Sequence, residues 1–463
     1  MSKQPYVVIG GDAAGMSAAS KIKREEPEAE VIVFERSPHI SYSACGMPYW
    51  IGGVLESERQ LVVLTPQIAR KKRGIDVRIH HEVIAIDSSA RLVHVTNHES
   101  GETFEQPYAK LLIATGARPL YPPIPGLDTP GVFTLRAFAD SHRIHEFMEQ
   151  SQPRRATIIG GGYIGLEMAE AFRDRGLEVT IVEMQPQIMP MFDEDMVGAV
   201  TEHLLEKGVK LHLNTEVKAI RKSEEGILVE TTSKDALVAD IVLLSVGVRP
   251  NSELASAAGL KLGPANAIHI DRRLRTSAPD IFAAGDCAAH YHLVLEQDVW
   301  IPLATSANKG GRVAAENMLG GNTTLPGILG TAVVKVFDYT MSNTGLSQRE
   351  AKGSGLFGKG GEYVGSATIE AKDRANYWPG AADISVKLIF DRRDGRVLGG
   401  QLVGKDGVNK RIDIVATAIT ASMTLEDVTM LDLSYAPPYS TTHDPLQICA
   451  SVAQRDLLPQ PIA

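Results

Sequence analysis

"RRATIIGGGYIGLEMAEAFRDRGLEVTIVE", Arg154 to Glu183, decides the fold. An apolar run ends in glycines, a helical pattern follows, and a second apolar run ends at Glu183, eighteen positions after Gly165. Gly160, Gly162 and Gly165 complete the G-x-G-x-x-G pattern. Such glycines permit a tight turn and close approach of a pyrophosphate to the positive end of a helix. A carboxylate at the second strand end accepts from a ribose diol and repels a 2′-phosphate, so NADH is expected over NADPH. NADPH stays possible, because nearby loops can supply cations.

The pattern occurs twice. "YVVIGG", Tyr6 to Gly11, reads as a strand, Ala13 to Arg24 as a helix, and "AEVIVFE", Ala29 to Glu35, as a second strand. Gly10 and Gly15 are present, but the middle glycine is replaced by Asp12. A carboxylate there repels a pyrophosphate unless its side chain turns away. "KLLIATGARP" (Lys110 to Pro119) and "IVLLSVGVRPN" (Ile241 to Asn251) echo one another, extending the duplication. "PDIFAAGDCA", Pro279 to Ala288, reads as another strand, and a helix is expected from about Ala304.

Composition narrows the class. The 463 residues suffice for roughly three domains. A net charge of −9 argues against a nucleic-acid partner. No apolar run reaches about 18 residues, so no membrane span is expected. The N-terminus enters a strand without an apolar signal core. Three scattered cysteines, Cys45, Cys287 and Cys449, exclude a disulfide scaffold and a local metal knuckle; the reducing cytoplasm is expected, with no metal. After the turn-rich "GGNTTLPG", Gly320 to Gly327, strand-like runs ("TAVVKVFDYT", "SVKLIFD", "VLGGQLVG") precede a helix at about Val408 to Ala421, an α+β pattern.

Two nucleotide folds, "ATG" at Ala114 to Gly116 and "AAGDC" at Ala283 to Cys287 make the chain resemble the FAD-dependent pyridine nucleotide-disulfide oxidoreductases over its whole length. The resemblance implies an α/β protein. It has two Rossmann-like domains, for FAD (1–118 and 252–325) and NAD(P)H (119–251), and an α+β homodimerisation domain (326–463). It places Gly10, Gly15, Glu35, Arg36, Thr115, Gly116, Gly285, Asp286 and Ala304 at FAD. Gly160, Gly162, Tyr163, Ile164, Glu167, Glu183 and Gly247 go to the nicotinamide cofactor, with Tyr163 covering the flavin until nicotinamide displaces it.

Glutathione-reductase-like members carry a second cysteine five positions after the first. Here Cys45, in "SYSACGMPYW", is followed at that distance by Trp50, and "YAPPYS" (Tyr435 to Ser440) stands where their acid/base histidine lies. The chain is thus similar to the single-cysteine branch, which holds coenzyme A disulfide and persulfide reductases, NADH oxidases and NADH peroxidases. Oxidases and peroxidases carry a histidine where this chain has Ala13. The resemblance therefore favours coenzyme A disulfide, persulfide or polysulfide as substrate, with oxygen or peroxide chemistry as the alternative. It makes Cys45 the redox centre and Tyr439, with Tyr377 and Tyr435, its proton-donating neighbours across a homodimer. Ser41, Ser43 and Lys23 are expected at the substrate, Lys23 being chosen from two basic clusters, Lys21–Arg24 and Arg70–Arg73. Cys287, Cys449 and His443 are expected to be packing or surface residues.

Overall fold

A computed structural model describes residues 4–233 and 236–459; residues 1–3, 234, 235 and 460–463 of the expected domain segments lie outside the described residues. The duplication seen in the sequence is a duplication of sheet topology. In the first half Tyr6–Ile9 pairs in parallel with Val31–Glu35 and Lys110–Ile113, and Asp76–Ile79 and Ile281–Ala283 complete the five strands. In the second, Arg155–Ile159 pairs with Glu178–Val182 and Ile241–Leu244, flanked by Val209–His212 and Val132–Phe133. The central strand of each is buried, as a parallel sheet covered on both faces requires. Each half also carries a three-stranded antiparallel sheet, Val217–Ser223 and its neighbours matching His81–Asp87 and its neighbours.

The echoing Arg-Pro segments meet. Ala117–Pro119 and Val248–Pro250 form a two-stranded antiparallel ribbon, with Arg249 opposite Arg118. Thr115 Oγ1 donates to the Asn251 carbonyl at 2.6 Å, and Asn251 Nδ2 returns a bond to the Thr115 carbonyl at 2.8 Å. The two places where the chain crosses between nucleotide folds are therefore tied to one another.

The last segment is a five-stranded antiparallel sheet in the order Ala332–Val336, Tyr339–Gly345, Val397–Gly404, Asp383–Asp391, Val364–Lys372. Helices Val408–Thr420 and Pro445–Ala453 supply apolar faces to its core. "TAVVKVFDYT", expected as one run, is a hairpin: Phe337 takes a left-handed φ of 52° and the chain reverses. The turn, Phe337-Asp338, has no glycine or asparagine to mark it in the sequence.

A core shared by three parts of the chain matters most for function. Met47, Trp50 and Ile51 pack with Leu166, Met168 and Phe172 of the second nucleotide fold and with Val334, Val336 and Met341 of the hairpin. Trp50 stacks on His145, ring centroids 4.6 Å apart and planes 2° from parallel. The residue in the place of a second cysteine is thus a packing anchor.

Helices Ala13–Glu25 and Ala304–Met318 cross closely at Gly311, where an added Cβ would lie 2.2 Å from the Ala14 carbonyl oxygen. Its neighbour Gly310 has nothing nearer than 3.6 Å. Gly311→Ala is expected to lower stability by roughly 1–3 kcal/mol through overpacking. Gly310→Ala is expected to be neutral or stabilising, by up to about 1 kcal/mol, as a helix-interior replacement. Urea midpoints of the two variants check this; equal midpoints would contradict it.

Candidate active site

Each nucleotide fold presents the same device at the end of its central strand. Gly10 and Gly160 adopt φ of 105° and 106°, and Cβ atoms there would strike the Ala114 and Ser245 carbonyl oxygens at 2.2 and 2.5 Å. Gly15 and Gly165 let the helix close on the loop: added Cβ atoms would fall 1.9 and 2.1 Å from the Gly10 and Gly160 oxygens. The strand-end acids hold the loops. Glu35 Oε2 accepts the Gly11 N–H at 2.8 Å and Oε1 that of Ser37 at 2.8 Å. Glu183 accepts from Gly161 at 2.7 Å and from Gln185 at 2.8 Å.

The middle glycine position explains Asp12. Its counterpart Gly162 has φ −85°, and a Cβ there would meet nothing within 4 Å. Asp12 has φ −105°, so a side chain fits without strain. Its carboxyl accepts from the backbone N–H of Tyr42. Burial pushes its pKa up to about 6, against the pull of Arg136; Glu35 and Asp286 add to the rise.

Arg136 was not legible in the sequence, because no motif surrounds it. It bonds Asp286 Oδ2 at 2.7 Å and lies beside Gly116, where an added Cβ would be 3.8 Å from its Nη2. Burial raises the pKa of Asp286 and Arg136 opposes the rise. Ala304 opens a helix whose N-cap, Leu303, offers no side-chain cap, leaving N–H groups free at an exposed end. The glycine loop, the strand-end Glu35, the Arg136–Asp286 pair and this helix end supply the polar partners that FAD, a dinucleotide, calls for. Arg36 is exposed and lies 3.6 Å from Glu82.

The second fold opens on a cavity of about 860 Å³. Gly160, Gly162, Tyr163, Ile164, Glu183 and Gly247 all line it, so the structure brings these expected positions together. Lys218 is the cation in its lining among the described residues; with Glu183 at the loop, the lining favours a ribose diol over a 2′-phosphate. The Tyr163 hydroxyl donates to Asn343 Oδ1 of the C-terminal sheet at 2.7 Å.

Cys45 sits in a short 3₁₀ turn, Ala44–Gly46, with an exposed side chain. The loop is fastened to the first glycine loop: the Ser41 N–H donates to the Gly11 carbonyl at 2.9 Å, with Ser41 itself at φ 44°. A left-handed serine at this point is local strain held by its surroundings. The Ser43 N–H is taken by the Leu61 carbonyl, and its side chain is exposed. Partial burial pushes the Cys45 thiol up, and the Glu167 carboxylate pushes it further; Arg136 opposes both. Glu167 does not line the cavity. It stands on the helix below, acting on Cys45 and Tyr49, and its own pKa is raised to about 7 by burial and Glu170.

The two basic clusters are one patch. Arg73 Nη1 donates to Ser20 Oγ at 2.8 Å, and Gly74 lies against the Lys23 side chain. Lys23 itself caps the carbonyls of Pro27 and Ala29. Two of its three donors are thus already engaged, a commitment that local sequence gave no hint of.

Tyr377, Trp378, Tyr435 and Tyr439 are exposed in two segments of the C-terminal domain that meet. The Ala375 N–H donates to the Pro437 carbonyl at 3.4 Å, and Tyr377 bonds the Tyr435 hydroxyl. Buried Arg411 holds both segments, donating to the Asp373 carbonyl at 2.8 Å, to Ser440 Oγ at 3.3 Å and to Asp444 Oδ2 at 2.9 Å. Cys287 and Cys449 are fully buried and His443 is exposed, as their patterns implied.

A family model described as pyridine nucleotide-disulphide oxidoreductase matches residues 4–311, and the corresponding dimerisation domain matches residues 331–445. An NAD(P)H coenzyme A polysulfide/persulfide reductase of Pyrococcus horikoshii is 39% identical over 97% of this chain and 98% of its own. An NADH oxidase of Methanocaldococcus jannaschii is 35% identical over 97% of this chain and 99% of its own. The crystal structure of reduced CoADR-RHD of Bacillus anthracis superposes with a TM-score of 0.94 at 38% identity, covering 98% of this chain and 81% of that one.

The charge at position 167 adds to burial in holding the thiol protonated. Glu167→Gln is expected to move the alkylation profile of Cys45 to lower pH, because a carboxylate that disfavours the thiolate is removed. The gain should be largest above about pH 7, where Glu167 is ionised, and should fade below it. Iodoacetamide rates across pH check this; an unmoved profile, or a shift to higher pH, would contradict it.

Proposed function

The chain belongs to the pyridine nucleotide-disulphide oxidoreductases, and from that premise we propose that it reduces coenzyme A disulfide, or the related persulfide or polysulfide, with NAD(P)H at a single cysteine. The observation that carries the reading is Cys45: an exposed, unpaired thiol fastened to the glycine loop of the first nucleotide fold and acted on by Glu167 of the second. FAD, when bound, takes a hydride from the nicotinamide and relays its two electrons to sulfur.

The residues of the chain do the rest. The first fold, 1–118 with 252–325, holds FAD through the glycine loop, Glu35, Asp286 and the helix end at Ala304. The second, 119–251, holds the nicotinamide cofactor against Glu183, which selects NADH. The domain from 326 onward pairs two copies; its exposed Tyr377, Trp378, Tyr435 and Tyr439 are aromatic side chains for a second copy to cover.

In the resting enzyme Cys45 is in disulfide with coenzyme A. Two electrons break that S–S bond, leaving the Cys45 thiolate and a coenzyme A thiolate, which takes a proton from a tyrosine phenol, best supplied by Tyr439 across the dimer. The Cys45 thiolate then attacks a fresh coenzyme A disulfide, forms the mixed disulfide again and releases a second coenzyme A. The sum is NADH, a proton and one disulfide giving NAD⁺ and two thiols. The basic patch of Arg24 and Arg70 to Arg73, beside Lys23, meets the coenzyme A phosphates. Arg136 opposes the local acids and favours the thiolate.

Among the described residues no helix is long and apolar enough to cross a membrane. An exposed working thiol needs a reducing compartment, so we place the protein in the cytoplasm. Ala13, in place of a histidine beside the thiol, makes oxygen a poorer acceptor than a disulfide.

Cys45→Ser is expected to lower NADH-dependent reduction of coenzyme A disulfide by about a thousandfold or more, as removal of a nucleophile does. Intact mass of the isolated wild type should show coenzyme A on Cys45, released by NADH. Parent-rate turnover by the serine variant contradicts the proposal. A stable sulfenic acid on Cys45, with oxygen consumption and no disulfide turnover, favours the oxidase reading instead.

A further inference from the structure

The register of the C-terminal sheet aligns four polar residues across four neighbouring strands: Asn343 lies opposite Gln401, Gln401 opposite Lys387, and Lys387 opposite Thr368. Directly opposed residues project from the same face of a sheet. This row faces the second nucleotide fold, and every member bonds to it. Asn343 accepts from the Tyr163 hydroxyl at 2.7 Å. Gln401 Oε1 accepts the Asp193 N–H at 3.0 Å, and its Nε2 donates to Asp193 Oδ2 at 3.2 Å. Lys387 Nζ reaches Asp195 Oδ1 at 2.7 Å and Asp193 Oδ2 at 3.2 Å. Thr368 Oγ1 donates to Asp195 Oδ2 at 2.8 Å.

Lys387 is only 3% exposed and Asp193 9%. A buried ion pair adds little net stability once desolvation is counted, but its geometry is demanding. What the pair fixes is the connection that follows Glu183. That stretch has no strand and, before the short turn Glu194–Met196, no helix, yet Met184, Gln185, Pro190 and Met191 form a wall of the nucleotide cavity. The C-terminal domain also grips it through Arg349, which donates to the Pro190 carbonyl, while Asp193 Oδ2 accepts the Gln348 N–H at 3.0 Å.

We infer that Lys387, acting through Asp193, is a positioning residue for the nicotinamide dinucleotide: the sheet that pairs the subunits also sets the wall against which NADH binds. The inference rests on the assignment of that cavity to NADH.

Anaerobic stopped-flow reduction of the flavin against NADH concentration, on FAD-loaded dimers, tests it, with calorimetric affinity for NAD⁺ as a second readout. Lys387→Met should raise the half-saturating NADH by about tenfold, the scale of one lost charge-assisted contact. Gln401→Met should shift it the same way, less far. The limiting rate and the KM for coenzyme A disulfide should hold, NAD⁺ affinity should fall in step, and Lys387→Arg should recover most of the loss. Half-saturating NADH unchanged in a folded variant overturns the inference; so does a parallel loss of both half-reactions with FAD, which marks a merely structural role. If Lys387→Met does not fold, Gln401→Met, which leaves no charge unpaired, decides alone. A wild type that NADH does not reduce removes the functional reading itself, and this inference with it.

Discussion

The bond from the Ser41 N–H to the Gly11 carbonyl, made while Ser41 is held in a left-handed conformation, joins the first glycine loop to the loop that carries Cys45. One loop can form only because Gly10 and Gly15 lack side chains; the other carries the thiol. A left-handed serine costs free energy that its surroundings offset. The opposite anchor is the core in which Met47, Trp50 and Ile51 pack against both the second nucleotide fold and the hairpin of the C-terminal sheet. Cys45 lies between these anchors, where three parts of the chain converge.

That placement creates an electrostatic tension. Asp12, Glu167 and Asp286 all disfavour a thiolate at Cys45, and burial does the same. Arg136 is the opposing charge, and it is shared with Asp286. Carboxyls raised to about 6 and about 7, Asp12 and Glu167, both act on this sulfur. The thiol's environment is thus set by its burial and by charges from several parts of the chain, Glu167, Arg136, Asp286 and Asp12.

Much of this was legible in the sequence because backbone sterics leave a local signature. Glycines that must take positive φ, and acids that must close on them, fall at fixed offsets, so both nucleotide folds, Glu35, Glu183 and the helix at Ala304 could be located without a structure. The lone cysteine with Trp50 after it was equally local. What stayed hidden is what tertiary pairing decides. Arg136 matters through Asp286, 150 positions away. Lys23 is engaged by carbonyls of its own turn, while Arg73 crosses to Ser20. Arg411, which joins the two tyrosine segments, lies in a helix between them with no motif around it. The polar row from Asn343 to Thr368 exists only in the register of the sheet, and the Phe337 hairpin lacks the residues that announce a turn.

In the function proposed above, the sulfur of Cys45 is a second two-electron store beside the flavin. Counting the NADH consumed per chain in an anaerobic titration of the isolated holoenzyme tests it most directly. The account predicts one more NADH taken up by the wild type than by Cys45→Ser, with one coenzyme A released for it. Equal uptake by the two proteins would contradict it.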